Sequence, residues 1–196
     1  MFLPVYIYGH PALGRPSADI SQGEEGFDDF LRDMWETMYE ADGLGLAAPQ
    51  VGRNIRLFVI DASVLAEDYP ACEGFKRVFI NARITERSRE RVVMNEGCLS
   101  IPGIHEDVSR PERVTIAYKD ENWVDRVEHL EGMLARVVQH EYDHIEGHTF
   151  IDHLSTLKKR VLKKKLAALS RGNFQRNYRV VLPASRAGRV PGKGGK

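Results

Sequence analysis

The sequence predicts an α+β fold: short antiparallel β-sheets packed around a central helix that carries an HExxH motif, with a basic helix near the C-terminus. Residues 132–145 repeat apolar side chains at helical spacing and contain the motif. Four short strand-like runs precede this helix, at 77–87, 91–95, 113–119 and 123–130.

The N-terminal part of the chain predicts one further helix, a loop and a strand. Residues 24–41 place apolar side chains at helical spacing, with acids in the first turn. A glycine-rich loop follows at 43–52, and residues 56–61 (RLFVID) predict a strand. Residues 62–76 contain proline and glycine, so we expect them to be irregular.

The distribution of charge predicts an acidic body and a basic end. The 196 residues carry 28 basic and 28 acidic side chains, but no Asp or Glu follows Asp152, and residues 153–196 hold 13 Lys and Arg. A lysine-rich helical pattern covers 155–170, and residues 184–196 lack a core-forming pattern, which predicts disorder. We therefore expect a catalytic domain over 1–152, a basic helix over 153–172 and a basic, partly disordered tail over 173–196.

Composition argues against secreted and membrane proteins. No apolar run approaches the ~18 residues of a membrane span. The chain has no basic residue before Arg15 and carries an early proline, unlike a secretory signal. Its two cysteines, Cys72 and Cys98, are not expected to pair. We expect a cytoplasmic protein.

The sharpest chemical signal is His140-Glu141-Tyr142-Asp143-His144. Histidines four residues apart share one face of a helix and can bind one metal ion, and the glutamate beside the first can act as a base. Two surface histidines with a solvated acid are the simpler alternative.

A catalytic metal site usually needs a third protein ligand. Metzincins supply a third histidine where this chain has Phe150, and gluzincins supply a later carboxylate, which is absent after Asp152. His148 and His153 are nearby but belong to no motif. The ligand is therefore expected upstream, at Cys98, since a thiolate binds iron or zinc well. A lone cysteine is otherwise a small buried hydrophobe.

The glycine-rich segment from Gly43 to Gln50 (GLGLAAPQ) superficially matches a dinucleotide-binding loop. A helix precedes it rather than a strand, and Pro49 discourages a following helix. We expect a loop whose backbone closely approaches a ligand, with the Gln50 amide available to a developing negative charge. A helix-ending turn is the alternative.

Together the three segments resemble the peptide deformylase family, which carries a GφGφAAxQ loop, an EGCφS strand and a QHExDHφxG helix. The matching segments here run from Gly43 to Gln50, from Glu96 to Ser100 and from Gln139 to Gly147. Ile145 replaces the usual leucine. The resemblance covers residues 1–152, and residues 172–196 have no place in the family pattern.

The resemblance implies hydrolysis of the formyl group from the N-terminal formylmethionine of newly made peptides, which releases formate. It implies one divalent metal ion, Fe²⁺ by family and replaceable by Zn²⁺ or Ni²⁺, with the ligands Cys98, His140 and His144. Glu141 would take a proton from the attacking water and deliver it to the leaving amine. The Gln50 amide and the Leu99 backbone N–H would bind the oxyanion.

We expect the methionine side chain of the substrate to enter an apolar slot near the metal, formed by Leu44, Met94, Met133 and Val137. The last two lie on the helical face of His140, and Met94 has the strand parity of Cys98. Ordinary core packing is the alternative for both methionines. The peptide backbone is expected to pair with Gly45 and Gly97 by strand addition.

Residues 155–196 are predicted to dock the enzyme on the ribosome, where formylated nascent peptides emerge, and to contribute little to chemistry. Lysines on 155–170 alternate with leucines that can pack on the body, leaving the lysines for phosphate. In related enzymes a C-terminal helix serves as a ribosome anchor. A solvated helix with a solubilising tail is the alternative; a membrane surface is disfavoured because Trp and Phe are scarce here.

Two other classes of protein remain as rivals. A general metalloprotease would need the downstream ligand that is missing. A ribosome- or RNA-binding module without catalysis would not need three intact chemical motifs.

Overall fold

The computed structural model describes residues 1–183, and the tail over 184–196, where we predicted disorder, lies outside them. The helices are α1 (Phe27–Glu40), α2 (Gly132–Ile145) and α3 (Thr156–Leu169). The strands are β1 (Val5–Tyr6), β2 (Gly45–Ala47), β3 (Leu57–Asp61), β4 (Lys76–Arg87), β5 (Arg91–Glu96), β6 (Glu106–Pro111), β7 (Arg113–Lys119), β8 (Asp125–Glu131) and β9 (Val180–Val181).

The strands form three small sheets. Five antiparallel strands lie in the order β2-β3-β4-β7-β8, and β5 pairs with β6 as an antiparallel hairpin. The two strands nearest the chain ends, β1 and β9, pair in parallel. The predicted α+β fold with small antiparallel sheets is confirmed, and the β1–β9 pair is an addition to it.

Helix α2 occupies the centre of the molecule. Its side chains Val138, Tyr142 and Ile145 recur at helical spacing and join a buried cluster with Phe58 and Phe79 of the five-stranded sheet. Nine of its residues are buried, including polar ones on the face away from this cluster. Because the helix is covered on most sides, its polar residues face the interior of the protein rather than water.

The sequence did not predict strands β1, β2, β6 and β9. Strand β6 reads Glu-Asp-Val-Ser-Arg-Pro, and its inward positions are Val108 and Arg110, both buried. A buried arginine in place of an apolar residue hides the alternation that identifies a strand. Strands β1, β2 and β9 have only two or three residues, too few to show a period.

Helix α3 packs against the body along one edge. Leu162, Leu166 and Leu169 are buried in a cluster with Ile7, which directly follows β1, and with Ile101 of the turn after β5. Leu157, one of the leucines expected to pack on the body, is 72% exposed, and Val161 on the same face is 71% exposed. They lie on a different face of the helix because only every third or fourth residue can face the body.

No helix within residues 1–183 is both long enough and apolar enough to cross a membrane. Cys72 is buried, Cys98 is half-buried, and both are free thiols.

Candidate active site

The HExxH helix and the turn after β5 bring three potential metal ligands together. One ligand atom each from Cys98, His140 and His144 lies within 4.8 Å of the other two. The Cys98 Sγ is 3.3 Å from His144 Nε2. His140 uses Nδ1 for a carboxylate, which leaves its Nε2 for a ligand.

That carboxylate belongs to Glu96, the last residue of β5. The sequence placed Glu96 in the EGCφS motif but indicated no role for it. Its Oε2 lies 2.9 Å from His140 Nδ1. Arg110 of β6 binds both of its oxygens, at 2.6 and 2.9 Å, and Arg136 of α2 donates to it at 2.6 Å. Burial would raise the pKa of Glu96, but hydrogen bonds from His140 and Arg110 hold it far below its usual range. The carboxylate therefore stays ionised and orients the His140 ring.

Two reactive groups have perturbed pKa values. Burial would raise the pKa of Cys98, but nearby His144 and a hydrogen bond with His140 lower it to about 5, so the thiolate form is favoured. Burial raises the pKa of Glu141 to about 7. Among residues 1–183, neither the buried Oε2 of Glu141 nor the buried Nδ1 of His144 has a hydrogen-bond partner. A buried carboxyl group near neutrality suits proton transfer in either direction.

Gln50 faces the same centre from the loop after β2. The Ala47 backbone N–H donates to Gln50 Oε1 at 2.8 Å, which fixes the orientation of the amide. The Nε2 donors then point at Ser100 Oγ, 3.2 Å away, and Cys98 Sγ, 3.5 Å away. Gln50 therefore presents N–H groups, not its carbonyl, to the centre.

A cavity of about 460 Å³ opens onto these groups. Gly45 and Gly97 both line this cavity, and neither position has room for a side chain. A Cβ on Gly45 would lie 2.6 Å from Glu141 Oε1, and one on Gly97 would clash with the His105 ring. Strands β2 and β5 are both at sheet edges, so they leave backbone available beside the cavity.

Most of the sequence-predicted site residues meet at this cavity. It is lined by Leu44, Gly45, Gln50, Gly97, Cys98, Leu99, Met133, Val137, His140 and Glu141. His144 joins through Cys98. Met94, expected in the slot, is not among the lining residues. Strand β5 ends at Glu96, so its side-chain alternation does not continue to Cys98.

Sequence reasoning missed several residues of the cavity wall. Arg136, His105 and Tyr178 all line it. Arg136 sits on the helical face of His140, one turn before it, and could have been found from that spacing. No sequence signal indicated Tyr178, which comes from the segment after α3.

One helix carries two histidines, and a cysteine thiolate and a buried glutamate lie beside them at a cavity. This combination is typical of a metal-dependent hydrolase. The family model described as polypeptide deformylase matches residues 2–160. The chain belongs to this family, whose members remove the formyl group from the N-terminal formylmethionine of nascent peptides.

Relatives and solved structures that are similar to this chain are also peptide deformylases. A peptide deformylase of Flavobacterium johnsoniae is 47% identical over 96% of this chain and all of its own length; one of Christiangramia forsetii is 45% identical with the same coverage. The structure of the Ehrlichia chaffeensis peptide deformylase matches with a TM-score of 0.78 and 32% identity, covering 88% of this chain and 99% of that one. A Plasmodium falciparum peptide deformylase matches with a TM-score of 0.76 and 37% identity, over 86% and 95% of the two chains.

Replacing Glu96 by Gln should destabilise the protein by about 3 kcal/mol and weaken metal binding about tenfold or more. The neutral amide would leave Arg136 buried without an anion, would leave Arg110 with Asp143 as its acid partner, 2.6 Å away, and would no longer hold the His140 ring. Urea unfolding and metal titration measure the two effects.

Glu90→Gln is the matched control, because Glu90 also pairs with an arginine but both partners are exposed. Such a pair contributes about 0–1 kcal/mol. Equal stability and metal affinity in the two variants would contradict the role of Glu96.

Proposed function

We propose that this chain carries out peptide deformylation with one divalent metal ion held by Cys98, His140 and His144. The observation that carries the proposal is the convergence of their three ligand atoms within 4.8 Å, beside a buried glutamate. The donor set fits a metal, because Glu96 engages Nδ1 of His140 and the Cys98 thiolate is favoured. When bound, the ion would supply Lewis-acid activation of water and of the formyl carbonyl.

The identity of the metal is a finer proposal. One thiolate and two imidazoles suit Fe²⁺, Zn²⁺ and Ni²⁺. We favour Fe²⁺, as the family resemblance implies, and metal analysis of protein purified without oxygen tests it. Two free thiols in the described chain also suit the reducing cytoplasm, where we place the enzyme.

Glu141 is proposed as the group that moves the proton. It is 4% exposed, and Oε2 has no partner, so nothing in the described chain competes for a proton at that atom. The carboxylate would accept a proton from the attacking water and later deliver it to the leaving amine. These two steps need a group that can both accept and donate a proton near neutral pH. A pKa raised to about 7 supports that use.

Negative charge on the formyl oxygen would be stabilised by two donors, the Gln50 Nε2 amide and the Leu99 backbone N–H. Both residues line the cavity. The Ala47 N–H holds the Gln50 amide in place before substrate arrives. A donor positioned in advance is typically worth about 3 kcal/mol of barrier, because it needs no reorganisation during the reaction.

The substrate is proposed to lie as an extended strand between Gly45 and Gly97. Their missing side chains let its backbone approach, and strands β2 and β5 are sheet edges. The methionine side chain would contact Leu44, Met133 and Val137, which line the same cavity.

Glu141→Gln should keep the metal and lose nearly all turnover, by about 10³-fold, because the amide cannot move a proton. Formate release from formyl-Met-Ala-Ser and metal content measure the two properties. A variant that keeps wild-type kcat, or that loses its metal, would show that Glu141 is not the base. Casein should not be cleaved by the wild type, which separates a deformylase from a general protease.

Cys98→Ser should lower metal content and activity together, because a hydroxyl is a poorer ligand than a thiolate. Cys72→Ser is the matched control, since Cys72 is buried in the core outside the cavity. If iron is the metal, air or peroxide should inactivate the wild type. Equal metal content in Cys98→Ser and wild type would remove Cys98 from the ligand set.

Docking on the ribosome through the basic segment 155–196 is also proposed. Exposed bases on α3 supply the support: Arg160, Lys163, Lys164 and Lys165. Lys158 instead pairs with Glu106 of the body at 2.8 Å. Because Leu162, Leu166 and Leu169 belong to the core, deleting α3 would disturb the fold, and charge reversal is the cleaner test.

Changing Lys163, Lys164 and Lys165 to Glu should abolish cosedimentation with ribosomes at low salt, since counterion release drives contacts with phosphate. The matched control reverses three exposed arginines at the β4–β5 turn: Arg87, Arg89 and Arg91. Wild type and control should pellet at low but not at high salt, and all three proteins should hydrolyse a formyl peptide at similar rates. Equal pelleting of both variants would remove the docking role from this helix.

A further inference from the structure

The segment after α3 returns to the active site. Tyr178 lines the cavity, and its hydroxyl donates to the Leu99 carbonyl oxygen at 2.7 Å. Directly after Tyr178, the Arg179 and Val181 carbonyls accept from the backbone N–H groups of Val5 and Ile7, at 2.9 and 3.0 Å. The parallel β1–β9 pair thus brings the C-terminal segment to the turn that carries Leu99.

That turn is held at both of its central residues. The Ile101 N–H donates to the Cys98 carbonyl at 2.9 Å, so Leu99 and Ser100 are the two central residues of a β-turn. The Leu99 carbonyl accepts from Tyr178, and the Ser100 carbonyl accepts from the Tyr8 N–H at 2.9 Å. Tyr8 lies just after β1 and Tyr178 just before β9, so residues beside both paired strands hydrogen-bond to the turn.

The position of the Leu99 carbonyl decides the geometry of this turn. Turn types I and II differ mainly by rotation of their central peptide, here the one between Leu99 and Ser100. Such a rotation would turn the Leu99 carbonyl away from the Tyr178 hydroxyl and would give Ser100 the positive φ of a type II turn, which Ser100 does not have here. The Tyr178 hydroxyl opposes the rotation because it binds the carbonyl of that peptide.

We propose that Tyr178 is a positioning residue for deformylation: it holds the Leu99 carbonyl, and with it the whole turn, so that the Leu99 N–H and the Gln50 amide, which contacts Ser100 Oγ, keep their places at the oxyanion. The inference rests on the proposed function, in which those two groups are the donors. It also assigns residues 173–183 to the catalytic unit, where the sequence alone predicted a tail with little part in chemistry.

The segment does not depend on the hydroxyl for its attachment. Phe174 and Val180 pack against the cluster that contains Ile7 and Leu166, and two backbone hydrogen bonds join β9 to β1. Tyr178→Phe therefore removes one hydrogen bond and leaves the packing in place, which makes it a clean test.

The test compares Tyr178→Phe with Tyr118→Phe as metal-loaded full-length enzymes. Tyr118 also donates its hydroxyl, to Glu128 at 2.8 Å, but it lies on β7 outside the cavity. Formate release from formyl-Met-Ala-Ser gives kcat and KM, bound metal is measured, and thermal unfolding confirms that each variant is folded at the assay temperature.

We expect kcat of Tyr178→Phe to fall about tenfold, equivalent to about 1.4 kcal/mol of barrier, with KM within about twofold and bound metal unchanged. Tyr118→Phe should keep both constants, and so should a chain ending after Pro183. A rise in KM alone would show that Tyr178 contacts the substrate, and loss of metal would show that it supports the metal site. Either result would overturn the proposal. The proposal is also wrong if Tyr178→Phe keeps the kcat of an active wild type. A wild type that releases no formate would overturn the proposed function itself, and the inference with it.

Discussion

The structure depends on one buried carboxylate. Glu96 ends β5 and accepts hydrogen bonds from Arg110 on β6, Arg136 on α2 and the His140 ring. A desolvated charge is costly unless it is fully paired, so these partners must all be in place at once. The hairpin and the central helix therefore have one relative position in which Glu96 is satisfied. In that position His140 is oriented and Cys98, two residues further on, lies beside His144.

A second constraint is that the backbone passes very close to the side chains of the site. β2 runs so near Glu141 that position 45 has no room for a side chain, and Gly97 has none because of His105. Gly45 lies on the edge strand β2, Gly97 directly follows β5, and both line the cavity. The two glycines thus allow close packing on Glu141 and His105, and in the proposed function they also leave backbone available to an extended peptide.

The C-terminal end combines structural and surface roles. The leucines of α3 complete a core, while the lysines of its outer face lie in solvent. Beyond the helix, β9 pairs with β1, so both ends of the described chain meet beside the turn that carries Leu99. Positive charge and active-site support therefore belong to the same stretch of sequence but to different side chains.

The sequence by itself determined the chemistry and the larger elements. The HExxH spacing and the family motifs predicted Cys98, His140, His144, Glu141 and Gln50 as site residues, because each motif is a short local pattern, and the fold brings the first three together. The bounds of α2 and β7 were also predicted, since an amphipathic period is a local property. Only the tertiary structure decided which strands pair, that Met94 does not line the cavity, and that Arg110, Arg136 and Tyr178 reach the site. Those outcomes depend on contacts between residues 14 to 79 positions apart in the chain. Such contacts form only in the folded protein, so no local sequence pattern indicates them.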